Sequence, residues 1–335
     1  VSGVDKGRLE PRIRDTARVL LRAYLGLCAL AIAALWCCPG VSGFDAVCHA
    51  LPAISTGGFA TYDDSVEGLR SHAAEWVLIA GMLAGGLNFA LIIAVLRGRV
   101  DRLWHSVEVR VYLGLIAGCS LAIALLLAAQ GRFYAGDLHG LVRDSLFQVV
   151  SIMTTTGFCS GYDSTAAAGG LGYDAWPQGA RLILLALMVT GACAGSTSGG
   201  IKLVRLIVAW KAARRELRRA LEPTRITPVS IDGSPLRDPV VLQVAAFLGL
   251  YAVTWIIGTL LLTLVAPGTI SLETAASAAL ASIGNIGPGL SEVGPACNYR
   301  NLGGPGQTVC LLLMLLGRLE LFAALLALRP KNWRR

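Results

Sequence analysis

Charge is what this sequence has least of. Only 15% of its 335 residues are charged and 55% are hydrophobic, whereas soluble domains carry roughly 25% and 45–50%; an ordinary soluble enzyme is excluded. Histidine is scarce as well. The four histidines, His49, His72, His105 and His139, are scattered and form no i,i+4 pair, so a helical metal pair is excluded and general-base catalysis has little support. The nine cysteines form no CxxC pair and most lie in apolar stretches, where a free thiol behaves as a small hydrophobe rather than a metal ligand or disulfide partner. There is no GxGxxG after a strand and no phosphate-binding GxxxxGK[ST] run. The chain opens on Val1, in a polar basic run without an apolar signal-peptide core, which reads as a fragment of a longer sequence.

What is present is apolar sequence in blocks. Five runs, 19–38, 73–96, 111–130, 240–266 and 307–328, have the length of a spanning helix, which takes roughly 20 residues. A sixth starts near Leu182, loses helix character through 191–200 and resumes at Ile201. The net charge of +8 comes without the aromatic interleaving of nucleic-acid binders, so no nucleic-acid partner is expected. Instead, 22 of the 29 Lys and Arg fall within 1–22, 97–110, 202–225 and 329–335, while 39–75, 131–175 and 266–306 hold 11 of the 21 acidic residues and four Arg. By the positive-inside rule the basic segments are cytoplasmic and both chain ends lie inside. Six crossings satisfy the pattern.

Each outward segment also holds an apolar stretch too short to span: 44–54, 145–153 and 274–283. Such lengths suit re-entrant half-helices. Each runs into a glycine tract: Ser55-Thr56-Gly57-Gly58-Phe59, Thr154-Thr155-Thr156-Gly157-Phe158 and Gly284-Asn285-Ile286-Gly287-Pro288-Gly289. Aligning Gly58, Gly157 and Gly287 puts Ile54, Met153 and Ile283 four positions earlier; Asp45 and Asp144 fall 13 positions before their glycines and Glu273 falls 14 before Gly287. An acidic residue there is expected near a half-helix N-terminus, where the macrodipole favours it. Non-helical backbone at membrane depth is tolerated only when buried in protein or lining a watery path, and rings of such carbonyls can replace a cation's water shell. The expected fold is an all-α polytopic membrane protein with three helix–pore-helix–helix units, in which the half-helix C-termini face a cation at the membrane centre. An isolated tract of this kind reads more readily as a plain turn; three in register favour the filter.

The small and hydroxylated run Gly191, Gly195, Ser196, Thr197, Ser198, Gly199 and Gly200 suits backbone unwound inside the membrane or close helix packing. Arg318, near the middle of the last apolar run, is a functional hypothesis by its cost, or else one half of a buried ion pair with another helix. Glu320 stands two residues away, on nearly the opposite helix side, so local pairing is not expected. The stretch 202–221 carries Arg205, Lys211, Arg214, Arg215, Arg218 and Arg219 around an apolar side and is expected along the cytoplasmic face. A membrane-embedded serine hydrolase using Ser196 or Ser198 is the enzymatic alternative, but it needs a positioned base.

The tracts STGGF, TTTGF and NIGPGL, the run GACAGSTSGGIKLVR and the late GRLELF together resemble the Trk/Ktr/HKT superfamily of potassium transporters, most closely its bacterial TrkH family, from the first basic segment through Trp333. The resemblance implies four such units around one potassium pathway, of which 1–110, 111–225 and 226–335 match the second, third and fourth; a first unit is implied but not contained in these residues. It implies potassium coordination at Thr56, Gly57, Thr155, Thr156, Asn285 and Ile286, with Ser55, Gly58, Phe59, Gly157, Phe158, Gly287 and Pro288 supporting the filter. It further implies an intramembrane gating loop spanning Gly191 to Gly200 with Lys202, and Arg318 as an electrostatic barrier below the filter. The third tract departs furthest from a TVGYG-like filter, which implies moderate selectivity over sodium. The implied setting is the bacterial inner membrane, as a homodimer with a nucleotide-binding TrkA-type subunit. No cofactor is implied beyond the transported potassium ion. Channel-like flow and proton- or sodium-coupled symport both fit, as does a non-conducting remnant that needs a separate first unit.

Overall fold

A computed structural model describes residues 10–130, 137–160, 172–222, 228–268 and 270–327. The basic cluster at 329–335, Lys6, Arg8, Arg132 and Arg225 lie outside the described residues.

A helix, a short buried helix and a second helix succeed one another three times: α1 (Glu10–Trp36), α2 (Gly43–Ser55) and α3 (His72–Gly86); α6 (Val107–Ala129), α7 (Leu138–Met153) and α8 (Gln178–Val189); α10 (Asp238–Val265), α11 (Leu272–Gly284) and α12 (Gly303–Arg318). In each set the short middle helix packs against both its neighbours. Between the sets come α4 (Phe89–Leu96), α5 (Asp101–His105) and α9 (Leu203–Leu221), and α13 (Leu321–Ala327) closes the described chain. Among the described residues one short hairpin, β1 (Ser230–Ile231) with β2 (Ser234–Pro235), joins the otherwise helical fold; Asp232 and Gly233 both take positive φ at its turn, as a tight hairpin requires.

The short helices are started by local chemistry. The Ser42 hydroxyl accepts from Asp45 N–H at 3.1 Å, and that of Ser271 accepts from Thr274 N–H at 3.1 Å. Asp137 accepts from Gly140 N–H at 2.9 Å. Each satisfies a donor that a helix N-terminus leaves open. Buried alanines and serines dominate α11, and α7 is buried from Phe147 to Met153; helices apolar on all sides belong inside a bundle. The long helices do the reverse. Leu30, Leu125 and Leu264 stand 67%, 62% and 70% exposed, as lipid-facing side chains do.

Among the described residues, three helices are long and apolar enough to cross a membrane: 14–36, 107–129 and 238–265. Two runs expected as single helices are divided. The 73–96 run is α3 plus α4, bent by 108°, because Asn88 leaves the helix to cap Ala90 N–H at 2.8 Å while Phe89 N–H donates to the Gly195 carbonyl. The 307–328 run breaks between α12 and α13 at Glu320, whose φ is +55°. The acidic alignment also needs correcting. Asp45 and Glu273 lie in the first turns of α2 and α11, but α7 starts earlier, so Asp144 sits in its second turn, where it bonds Arg143.

Candidate functional site

The three half-helices end in one geometry. Gly57 N–H donates to the Pro52 carbonyl at 2.8 Å, Thr156 N–H to Ser151 at 2.9 Å and Ile286 N–H to Ala281 at 2.9 Å, in equivalent positions. The residue before each donor is left-handed: Thr56 at φ +53°, Thr155 at +57° and Asn285 at +53°. This is a six-to-one helix-terminating bond around a left-handed residue. Threonine or asparagine there costs about 1–2 kcal/mol, so the surrounding packing imposes it. Two residues on, Gly58, Gly157 and Gly287 take φ of +67°, +83° and +111°. Left-handed residues alternating with ordinary ones turn the backbone out of helix without letting it extend.

The tracts are packed against one another. A Cβ on Gly58 would run into the Thr156 carbonyl, and one on Gly157 into the Ile286 carbonyl; at Gly287 it would meet nothing within 4 Å. Gly58 and Gly157 thus each seat the carbonyl of the next tract, in a partial ring open beside Gly287. Outside the ring, Phe59, Tyr62, Cys159, Pro288, Cys297 and Tyr299 line part of a cavity of about 370 Å³. Tyr299 donates to the Gly287 carbonyl at 2.7 Å and Tyr173 to Gly289 at 3.0 Å. Ser151 donates to Phe158 at 2.6 Å. Pro288 packs near Gly157, and Ser55 accepts from Thr56 through its carbonyl at 2.8 Å.

The segment 190–202, between α8 and α9, touches all three half-helix ends. Thr197 Oγ1 donates to the Ile54 carbonyl at 3.0 Å and accepts from Thr56 at 3.3 Å. Gly199 N–H donates to Thr155 Oγ1 at 2.6 Å. A Cβ on Gly199 would run into the Gly284 carbonyl, so glycine permits this approach. Gly195 lies against Asn88 and Gly200 against Gly191; Gly191 N–H donates to Ile201 and Ala192 N–H to Ser198 Oγ. Ser196 donates to the Cys193 carbonyl at 2.6 Å. Lys202 turns its ammonium into the loop, onto the Ser198 carbonyl and the Ser198 hydroxyl at 3.1 Å. The serine hydroxyls are thus engaged in folding the loop.

Arg318 ends α12, exposed, and makes no ion pair among the described residues; the buried-pair alternative is not what the structure contains. Glu320 reaches Arg205 at 3.0 Å instead. Arg318, Arg205, Glu320 and Glu108 all lie within electrostatic reach of Lys202.

Several polar contacts have no signal in a single sequence. Buried Arg143 reaches Glu75 at 2.6 Å and Asp144 at 2.8 Å, tying α3 to α7 across positions far apart in the chain. Glu108, an acidic residue in a basic stretch, accepts from two backbone N–H groups of the broken helix. Asp45 accepts from Ser42, Thr61 and Tyr62 at 2.6, 2.7 and 3.1 Å, and the bonds from Ser42 and Thr61 hold its carboxyl below its ordinary range. Asp174 accepts from Ser291 N–H at 2.9 Å, and burial pushes its pKa up to about 6. Glu273 pairs with Arg181 at 2.6 Å. No cluster of metal-ligating side chains occurs among the described residues.

Comparison with known proteins agrees with this geometry. Residues 4–335 match the TrkH family, described as cation transport protein. The Trk system potassium uptake protein TrkH of Escherichia coli K12 is 31% identical over 328 residues, covering 98% of this chain and 64% of that protein. The Trk system potassium uptake protein TrkI of Halomonas elongata is 33% identical over 329 residues, covering 98% and 63%. The crystal structure of the potassium transporter TrkH from Vibrio parahaemolyticus superposes with a TM-score of 0.87 at 31% identity, covering 100% of this chain and 68% of that one. The chain therefore spans a little under two thirds of the length of these two curated relatives. With helices that can cross a membrane and half-helices ending in three packed glycine tracts, the chain belongs to the TrkH family of cation transport proteins.

Proposed function

We propose that this chain forms the potassium pathway of a Trk-type uptake system in a bacterial inner membrane, with both ends cytoplasmic. The observation that carries this reading is the convergence of three half-helix C-termini and their glycine tracts on one loop. Each C-terminus brings roughly half a negative charge, and tract carbonyls at Thr56, Gly57, Thr155, Thr156, Asn285 and Ile286 are the groups that would replace a potassium ion's water. The loop 190–202 lies against all three ends and serves as the gate, and Arg318 adds a positive barrier on the same side as Lys202.

The units 1–110, 111–225 and 226–335 correspond in this reading to the second, third and fourth of four, with a further tract completing the ring beside Gly287. The basic helix α9, exposing Arg214, Arg218 and Arg219, is the docking face for a nucleotide-binding regulatory subunit of the TrkA type, in a homodimeric assembly. The open side of the ring favours a second reading, in which these residues conduct only when another tract is supplied.

Rubidium uptake in cells stripped of their own potassium uptake tests this. Gly157→Asp is expected to abolish uptake while reaching the membrane at the wild-type level. Wild-type uptake by that variant would rule the pathway out, and uptake that appears only when a first unit is co-expressed would favour the second reading.

A further inference from the structure

Glu108 is the second residue of α6 and only 8% exposed. One of its oxygens, Oε1, accepts from Ala194 N–H at 2.7 Å and from Val204 N–H at 3.1 Å. Ala194 lies in the first limb of the broken-helix loop, and Val204 is the second residue of α9. A single carboxylate oxygen on a third helix therefore ties together both limbs of the loop that lies beneath the glycine tracts. The Val204 N–H is one of the donors that a helix N-terminus leaves open, and negative charge is favoured there. Bonds from N–H groups to an ionised carboxylate are stronger than neutral ones. Inside the same loop Lys202 holds Ser198 and Ser196, so an anion grips the loop from outside and a cation from within. For the limbs to part, at least one of the two N–H groups must leave the carboxylate.

We propose that Glu108 is a positioning residue for the loop: its carboxylate latches the two limbs under the tracts, and releasing the latch opens the cation path. The opening step rests on the transport reading given above, whereas the latch does not.

Cys193, next to Ala194 and 0% exposed, is a built-in reporter. The full chain in membrane vesicles is treated with N-ethylmaleimide, alkylation of the Cys193 peptide is followed by mass spectrometry, and rubidium flux is measured in parallel. Loss of two charge-assisted bonds in Glu108→Ala is expected to speed alkylation about tenfold or more and to raise flux. Glu108→Gln keeps an acceptor oxygen and is expected to restore most of the protection. Asp232→Ala removes the neighbouring bond to Val107 N–H and is expected to leave Cys193 protected. Should Glu108→Ala fail to accumulate, Glu108→Asp, too short to reach both limbs, takes its place. Unchanged protection in Glu108→Ala, or equal acceleration in Asp232→Ala, overturns the latch. Faster alkylation with unchanged flux overturns the opening step alone, and absence of flux in every variant, wild type included, overturns the transport reading while the alkylation rates still decide the latch.

Discussion

One methyl group probes the tract geometry. Gly157 sits at φ +83° with the Ile286 carbonyl where a side chain would begin, so Gly157→Ala combines left-handed strain with overlap on fixed backbone. It is expected to cost about 2 kcal/mol or more, read as a lower melting temperature in detergent; an unchanged melting temperature would contradict the packing of the second tract on the third. Arg318→Ala is expected to raise cation flux in a folded variant, since an exposed arginine near Lys202 repels cations; unchanged or lower flux counts against the barrier. Asp174 gives a pH signature. Its folded pKa of about 6 lies above the ordinary carboxyl value of 3.8, so the fold favours the protonated form. That contribution is present below about pH 4 and is lost as pH rises through about 6. Stability is therefore expected to fall over this window, and Asp174→Asn, which cannot ionise, is expected to flatten the fall.

At the scale of elements, the ion cluster of Glu75, Arg143 and Asp144 joins α3 to the half-helix α7. Glu75→Ala leaves Arg143 buried with one partner fewer, an expected loss of about 3 kcal/mol measured by thermal unfolding; a loss below about 1 kcal/mol would mean that water or a neighbour replaces the carboxylate.

The half-helices were legible in the sequence because a dozen apolar residues followed by glycine can neither span nor turn to solvent. The broken helix was legible for a similar reason, as seven glycine or hydroxylated residues between 191 and 200 cannot continue a helix cheaply. The bends at Asn88 and Glu320 were not legible. Each lies inside an unbroken apolar run, and the contacts that fix them, Phe89 N–H on Gly195 and Glu320 on Arg205, join residues more than a hundred positions apart. Glu108 escaped for the same reason: a lone acid among basic residues says nothing of the N–H groups it meets.

For the whole molecule, the orientation proposed from charge asymmetry is one that thiol chemistry can check. Cys297 is exposed and lines the cavity beside the tracts. In a background lacking the other exposed cysteine, Cys37, it is expected to react with an impermeant maleimide added outside intact cells; reaction only after permeabilisation would invert the topology. The central claim is that the three packed tracts hold a permeating cation. The most direct measurement is a crystal structure in rubidium, with anomalous density as the readout. Density is expected among Thr56–Gly58, Thr155–Gly157 and Asn285–Gly287, on the carbonyl side of the tracts. Rubidium bound elsewhere along the path, with these tracts empty while uptake persists, would contradict it.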